Sequence, residues 1–171
     1  MKEKIHIGEL IQEKLDENGQ SVTWLAKKVY CDPSNFTKSL NKSYIDTDLL
    51  LLISKAMRID FFKYYSDLLS HEIGFLFEHK GISELRKAAH AKVPFMKERI
   101  HIGELIKEKL DENRQAISWL AKKVYCDPSN FNQSLKNNQI DTELLLLISK
   151  TMHIDFFKYY SDLLRHDNIV G

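Results

Sequence analysis

Two short segments of this chain carry hydrogen-bonding and cationic side chains in different arrangements within nearly identical surroundings. Residues 37–44 read TKSLNKSY, and residues 132–139 read NQSLKNNQ. Hydroxyl and amide groups donate and accept hydrogen bonds and lysine adds a positive charge, so this chemistry suits recognition rather than bond cleavage. We therefore expect the functional surfaces of the chain to lie in these two segments.

The two segments lie inside a long internal repeat. Residues 1–69 (copy one) and 96–164 (copy two) align at an offset of 95, and only 15 of the 69 aligned positions differ. Six differences fall in residues 37–44, and nine are spread over the other 61 positions. A duplicated unit with one rewritten stretch predicts a common scaffold that presents two different recognition surfaces. Drift of an exposed helix end after duplication is the alternative explanation.

The repeat sets the expected organisation of the chain. Copy one and copy two should each fold as a domain, joined by a linker at 70–95 and followed by a tail at 165–171. The linker has two helical patterns that are separated at Gly81 and end at Pro94. We find no secretory signal and no apolar run long enough to cross a bilayer, so we expect no membrane contact and a cytoplasmic location.

Net charge does not identify the partner. Each copy has ten Lys or Arg and ten Asp or Glu, which leaves it neutral. A nucleic-acid-binding protein usually shows a basic face. Any such face must therefore arise from the local placement of lysines rather than from composition.

Each copy contains five helical patterns separated by short turns. In copy one, Ile7, Ile11 and Leu15 recur at four-residue spacing, and Asn18-Gly19 predicts a left-handed helix end. A side chain that can accept free backbone N–H groups precedes each of the next four helices. These predicted N-caps are Ser21, Asp32, Asp46 and Asp60.

The second and third helices are separated by only a few residues. Leu25 and Ala26 are predicted to face inward from the second helix. The third begins at Pro33, a residue favoured at the first helical position, and Phe36 and Leu40 are its predicted core anchors. Two helices joined by a tight turn form a helix-turn-helix unit.

Two stretches in each copy resemble the phage-repressor-like (Cro/Xre) helix-turn-helix family. They are WLAKKVYCDPSNFTKSL and LLLLISKAM in copy one, and WLAKKVYCDPSNFNQSL and LLLLISKTM in copy two. The resemblance covers Ile7–Leu69 and Ile102–Leu164. It implies an all-α chain with two tandem five-helix repressor-like helix-turn-helix domains, which the predicted helical linker would join.

Three departures from the family pattern concern the second helix and the turn that follows it. Tyr30 and Tyr125 stand where the family often has glycine, so we expect this turn to differ slightly. Val22 and Ile117 replace a polar residue that contacts phosphate in relatives. Ala116 cannot cap the second helix of copy two with its side chain, which costs about 1 kcal/mol.

The resemblance implies a sequence-specific DNA-binding transcriptional regulator, with the third helix of each copy in the major groove of double-stranded DNA. Transfer of the family's base-facing positions selects Ser34, Asn35, Thr37 and Lys38 in copy one, and Ser129, Asn130, Asn132 and Gln133 in copy two. The expected phosphate-facing positions are Asn41, Lys42 and Tyr44, and in copy two Lys136, Asn137 and Gln139.

The changed residue types predict half-sites that are related but not identical. Lys38 suits guanine acceptors or a phosphate, whereas Asn132 and Gln133 can each pair with adenine through two hydrogen bonds. The chain would then bind as a covalent asymmetric pseudodimer. The alternative is a protein-interaction module, antitoxin-like or an adaptor, that uses the fold without DNA. The neutral charge of both copies favours this alternative.

A surplus of apolar residues follows the third helix. Leu49–Leu52 sweep most of the way round a helix, and the Phe61–Leu69 helix carries one wide apolar stripe. One explanation is a thick core covered by the apolar residues of the linker at 73–77. The other is an interface within a pseudodimer or a homodimer, and the two explanations are compatible. Trp24 and Trp119 are expected to be partly buried rather than stacking platforms.

Residues capable of catalysis or metal binding do not cluster along the sequence. The seven histidines show no paired spacing with each other, with cysteine or with carboxylates. Cys31 and Cys126 occupy the same repeat position and are expected to be reduced and buried. A phosphate-cradling glycine loop and a nucleophile elbow are both missing. We expect no enzyme activity, no metal and no cofactor.

Overall fold

The computed structural model describes residues 5–77 and 100–170, so the predicted linker from residue 78 to residue 95 lies outside the described residues. Within the described ranges the chain is all-α and has no strand. Its helices are α1 (Ile7–Glu17), α2 (Val22–Lys28), α3 (Pro33–Leu40), α4 (Thr47–Met57), α5 (Phe62–Phe77), α6 (Ile102–Glu112), α7 (Ile117–Lys123), α8 (Pro128–Asn137), α9 (Thr142–Met152) and α10 (Phe157–His166).

The N-caps expected from the sequence are confirmed. The Asp32 carboxylate accepts the N–H of Asn35 at 3.0 Å, and the Ser21 hydroxyl accepts the N–H of Trp24 at 3.1 Å. The Ala116 side chain makes no such bond, so α7 lacks the side-chain cap that α2 has. These caps matter because the first N–H groups of a helix have no partner inside the helix.

The short helices pack around matching apolar residues in both copies. The buried anchors are Ile7, Leu25, Phe36 and Leu50 in copy one and Ile102, Leu120, Phe131 and Leu145 in copy two, each no more than 2% exposed. Helix α3 packs on both α1 and α2, and α8 packs on both α6 and α7. Each copy therefore holds its third helix against its first two.

Helices α1 and α3 approach so closely that a glycine is required between them. A Cβ atom built on Gly8 would lie 1.7 Å from the Leu40 carbonyl oxygen. The corresponding Cβ on Gly103 would lie 1.9 Å from the Leu135 carbonyl oxygen. Because backbone cannot yield as a side chain does, glycine at these positions fixes how close the third helix sits.

The two copies contact each other through their turns before α4 and α9. An antiparallel β-bridge joins these turns. The Thr47 N–H donates to the Ile140 carbonyl at 3.0 Å, and the Thr142 N–H donates to the Ile45 carbonyl at 2.9 Å. Since 140 and 142 are the repeat equivalents of 45 and 47, the contact is close to two-fold symmetric, as in an isologous dimer.

Charged side chains repeat the same symmetry at the edge of this contact. The Lys55 ammonium lies 3.3 Å from the Asp167 carboxylate, and the Lys150 ammonium lies 2.7 Å from the Glu72 carboxylate. Residue 167 is the equivalent of residue 72 at the repeat offset of 95, so each lysine reaches the matching carboxylate just after the end of the other copy. Both pairs are partly exposed, so their contribution to stability is modest.

The four consecutive leucines at 49–52 differ in how deeply they are buried. Leu50 and Leu51 are buried and Leu49 is half-buried, but Leu52 is 46% exposed. In copy two the equivalent Leu147 is 39% exposed. An exposed leucine remains on α4 and on α9, so neither a thick core nor the contact between copies absorbs the whole stretch.

The fifth helix of each copy, α5 and α10, runs past the end of the aligned repeat. Helix α5 continues to Phe77, well beyond residue 69, and the side chains at 73–77, predicted to cover the core, lie outside those described. After α10, Ile169 and Val170 pack against the core. The expected tail at 165–171 therefore contributes apolar contacts.

Candidate nucleic-acid interface

The residues expected to face bases lie on the outer sides of α3 and α8. Ser34, Asn35, Thr37, Lys38, Ser129, Asn130 and Gln133 are exposed, and Asn132 is half-buried. On the opposite side of the same helices, Phe36 and Phe131 are at most 2% exposed. The apolar anchors fix the rotation of each helix about its axis, and this rotation leaves the polar residues available to a ligand.

The residues expected to approach phosphates are also accessible, but their backbone differs between the copies. Asn41, Lys42, Tyr44, Lys136, Asn137 and Gln139 are all exposed. Asn41 and Lys42 follow the end of α3, whereas Lys136 and Asn137 belong to the last turn of α8. Helix α8 is therefore longer than its counterpart, and its additional residues lie in the rewritten segment.

The rewritten segments hold different side-chain pairs. In copy one the Lys42 ammonium lies 5.5 Å from the centroid of the Tyr44 ring, a cation–π contact. In copy two the Gln133 amide donates to the Asn137 side-chain oxygen at 3.0 Å. Copy one thus holds a charge against an aromatic ring where copy two holds two amides together.

The Thr37 hydroxyl hydrogen is already used in a hydrogen bond within α3. It donates to the Pro33 carbonyl one turn earlier at 2.8 Å. Thr37 therefore offers a ligand its methyl group and its acceptor lone pairs. A thymine methyl or an amino group would suit such a surface better than a base acceptor would.

Asn138 ties the end of α8 to both copies. Its backbone is left-handed, with φ of 55°. Its amide nitrogen donates to the Ile100 carbonyl at 3.1 Å and lies 3.3 Å from the Asp48 carboxylate, while its oxygen accepts the Gly103 N–H at 3.2 Å. The equivalent Ser43 has a single O–H donor and so cannot donate to two acceptors at once.

Sequence reasoning did not single out Asn138, although it lies in the rewritten segment. Asparagine is the residue besides glycine that most readily ends a helix in the left-handed conformation. That preference alone would identify the helix end. The contact with Asp48 depends on two residues that are 90 positions apart, and no local pattern signals it.

Lysines concentrate around the second and third helices. Residues 21–45 contain four lysines and one acidic residue, and residues 116–140 contain three lysines and one acidic residue. Lys27, Lys28, Lys38 and Lys42 are all exposed. By contrast, α1 alone carries four acidic residues and one lysine. Each neutral copy therefore has a basic segment at the candidate site and an acidic helix elsewhere.

Both tyrosines in the turns between the second and third helices project into solvent. Tyr30 has φ of 57° and Tyr125 has φ of 60°. Their side chains are 94% and 92% exposed. The backbone of each tyrosine is in the left-handed region that glycine favours, and each ring points into solvent.

Three observations on the described residues concern metal binding, thiol chemistry and membrane crossing. Within 5–77 and 100–170, no group of three or more His, Cys, Asp or Glu residues could hold a metal ion. Burial raises the pKa of the Cys126 thiol, which lowers the fraction of reactive thiolate. Over the same ranges, no helix has the length and apolar character needed to cross a membrane.

Comparison of the chain with protein-family models, with curated proteins and with solved structures gave no match. The case for a function therefore rests on the site itself: an exposed polar helix face, present twice, with a basic segment beside it.

Proposed function

We propose that this chain is a sequence-specific DNA-binding transcriptional regulator of the cytoplasm. Its two copies would be tandem helix-turn-helix domains of the phage-repressor-like kind, and α3 and α8 would each enter a major groove. The observation that carries the proposal is the repeated presentation of one polar helix face on two copies related by near two-fold contacts.

The position of the shared β-bridge supports simultaneous binding by both copies. Helix α3 ends at Leu40 and α8 ends at Asn137, and the bridge lies at Asp46 and Asp141. Leu40 is six residues from Asp46, and Asn137 is four residues from Asp141. Extended chain of these lengths reaches about 20 Å and about 14 Å, which bounds the distance of each helix end from the bridge. Together with the width of the bridge, these two bounds permit the spacing of about 34 Å between successive major-groove faces.

The distribution of charge supports a role for phosphate contacts. The exposed lysines at 27, 28, 38 and 42 accompany α2 and α3, and the acidic residues of α1 lie outside this segment. Lysine–phosphate contacts release counterions and supply affinity that does not depend on base sequence. Side chains on α3 and α8 would then supply the preference among sequences.

Selection of DNA sites from a random pool with the full-length chain tests the proposal. We expect two unlike half-sites at a fixed spacing of about one helical turn. Titration with salt should lower the affinity steeply, with a log–log slope of about −0.9 for each phosphate contact. The double variant Lys27→Ala, Lys28→Ala should flatten that slope.

A matched control comes from α5. Lys63 pairs with Asp67 at 2.7 Å and lies outside the basic segment, so Lys63→Ala should leave the slope unchanged. Absence of DNA binding even at low salt would contradict the proposal. That result would favour the protein-interaction module, and the exposed Leu52 and Leu147 would then be the first residues to test.

A further inference from the structure

We infer that the two copies divide the work of recognition between them. Copy two would discriminate among bases through Gln133, with Asn137 as the residue that positions it, and the rewritten segment of copy one would contribute mainly charge. The inference rests on the proposed DNA-binding function and adds a distinct role for each copy.

The carrying observation is the hydrogen bond between Gln133 and Asn137. The Gln133 amide nitrogen donates to the Asn137 oxygen at 3.0 Å. The two residues are four apart on α8, so they lie on the same face of the helix. One hydrogen of the Gln133 amide is used in this bond, and its second hydrogen and its oxygen remain available.

The two remaining groups are those that pair with adenine. A glutamine amide recognises adenine by donating to N7 and accepting from the N6 amino group. A side chain already held in one orientation loses less conformational freedom when it binds. Asn137 would therefore sharpen the choice made by Gln133 without contacting the base.

The end of α8 is itself held in place. Asn138, the next residue, bonds to the Ile100 carbonyl, the Gly103 N–H and the Asp48 carboxylate. Two of these groups belong to the start of copy two, and the third belongs to copy one. The helical turn that carries Asn137 is thus fixed relative to both copies, and this supports precise placement of Gln133.

Copy one has neither the glutamine–asparagine pair nor the longer helix that carries it in copy two. Its equivalents of Gln133 and Asn137 are Lys38 and Lys42, and α3 ends before Lys42. Two ammonium groups repel each other, and Lys42 instead lies over the Tyr44 ring at 5.5 Å. Lysine is a point charge on a flexible stem, so it suits a phosphate better than it suits the selective pairing of one base.

Paired variants of the full-length chain test the division. Gln133→Ala and Asn137→Ala are compared with Lys38→Ala and Lys42→Ala on the selected site and on single-base-pair substitutions of each half-site. The copy-two variants should reduce discrimination at one base pair of their half-site by about tenfold. They should keep the salt slope of the unmodified chain.

The copy-one variants should behave in the opposite way. Lys38→Ala and Lys42→Ala should weaken binding to every sequence and reduce the magnitude of the salt slope by about 0.9 each. Asn137→Asp retains the acceptor for Gln133, so it should keep discrimination while its negative charge lowers overall affinity. This rescue separates a positioning role from simple loss of helix structure.

Three outcomes would overturn the inference while leaving DNA binding intact. Asn137→Ala could leave discrimination unchanged where Gln133→Ala removes it. Lys38→Ala could abolish discrimination without changing the salt slope. Asn137→Asp could fail to restore discrimination although the variant melts at the same temperature as the unmodified chain. Failure of the unmodified chain to bind DNA at low salt would instead refute the proposed function itself.

Discussion

The ring of Phe62 on α5 stacks on the ring of Tyr160 on α10, with centroids 4.3 Å apart and planes inclined by 6°. The repeat-equivalent pair, Tyr65 and Phe157, stacks at 4.5 Å and 8°. All four side chains are at most 2% exposed. The centre of the contact between copies therefore contains two equivalent stacked ring pairs. In each pair, one copy supplies the phenylalanine and the other supplies the tyrosine.

Paired substitution of the stacked rings should show energetic coupling between the copies. Phe62→Leu and Tyr160→Leu should each destabilise the chain, and the double variant should lose less than the sum of the two. The expected coupling is about 1 kcal/mol, the typical value for a stacked aromatic pair. Denaturant unfolding measures it.

The matched control combines Phe62→Leu with Phe131→Leu in the core of copy two. These residues lie in different parts of the fold, so their effects should add. Full additivity of the Phe62 and Tyr160 variants would contradict a stabilising stack between copies.

High pH should weaken the contact between copies. Burial raises the pKa of Tyr65 from 10.0 to about 12, and burial also raises the pKa of Tyr160. The folded state therefore favours the neutral phenol, and its stabilising effect is complete below the unfolded pKa of 10.0. The free energy of unfolding should fall as the pH rises from that value through about 12.

Tyr65→Phe removes one of the two ionisable phenols from this contact and leaves Tyr160. The variant should lose less stability over the same pH range, as measured by denaturant unfolding at each pH. Tyr30→Phe, at a nearly fully exposed position, is the matched control and should follow the unmodified chain. If the free energy of unfolding falls equally with rising pH for Tyr65→Phe and for the unmodified chain, ionisation of Tyr65 is not a cause of the alkaline loss.

Restoring the missing N-cap should stabilise copy two. Ser21 caps α2 through its hydroxyl, whereas Ala116 provides no side-chain acceptor for α7. Ala116→Ser should therefore raise the free energy of unfolding by about 1 kcal/mol, and Ser21→Ala should lower it by a similar amount. Thermal melts followed by circular dichroism would report both shifts, and a neutral Ala116→Ser would argue against capping as the difference.

A side chain at Gly8 should disrupt the packing of α3 against α1. The Cβ of Gly8→Ala would lie 1.7 Å from the Leu40 carbonyl oxygen, so α1 and α3 must separate. We expect a loss of about 3 kcal/mol or more. Gly19→Ala is the control, since its φ of 62° is strained but nothing lies within 4 Å; it should cost about 1 kcal/mol. Similar losses for the two variants would refute the close approach.

Exchange of one side chain on α3 should shift the proposed preference among DNA sites. Lys38→Gln gives copy one the residue type that copy two has at Gln133. Selection from a random pool should then recover a first half-site closer to the second one, because glutamine favours adenine where lysine favours guanine or phosphate. The reciprocal Gln133→Lys should move the second half-site toward the first, and unchanged selections would contradict a role for this position.

Local patterns were sufficient to predict the helices and their starts. Asp32 and Pro33 mark the beginning of α3 because capping and a fixed φ act within a single turn of chain. The spacing of Phe36 and Leu40 correctly indicated which side of α3 is buried. The helical character of the chain and the exposure of the candidate site residues follow from interactions between residues a few positions apart.

Tertiary packing decided the relations between distant residues. The stacking of Phe62 on Tyr160 and the bonds of Asn138 to Asp48 join residues 90 or more positions apart, and helical periodicity does not encode which buried faces meet. Packing also left Leu52 exposed among buried leucines. The six changes in the rewritten segment were visible in the sequence, but only the folded chain separates those that face solvent from Asn138, which faces the other copy.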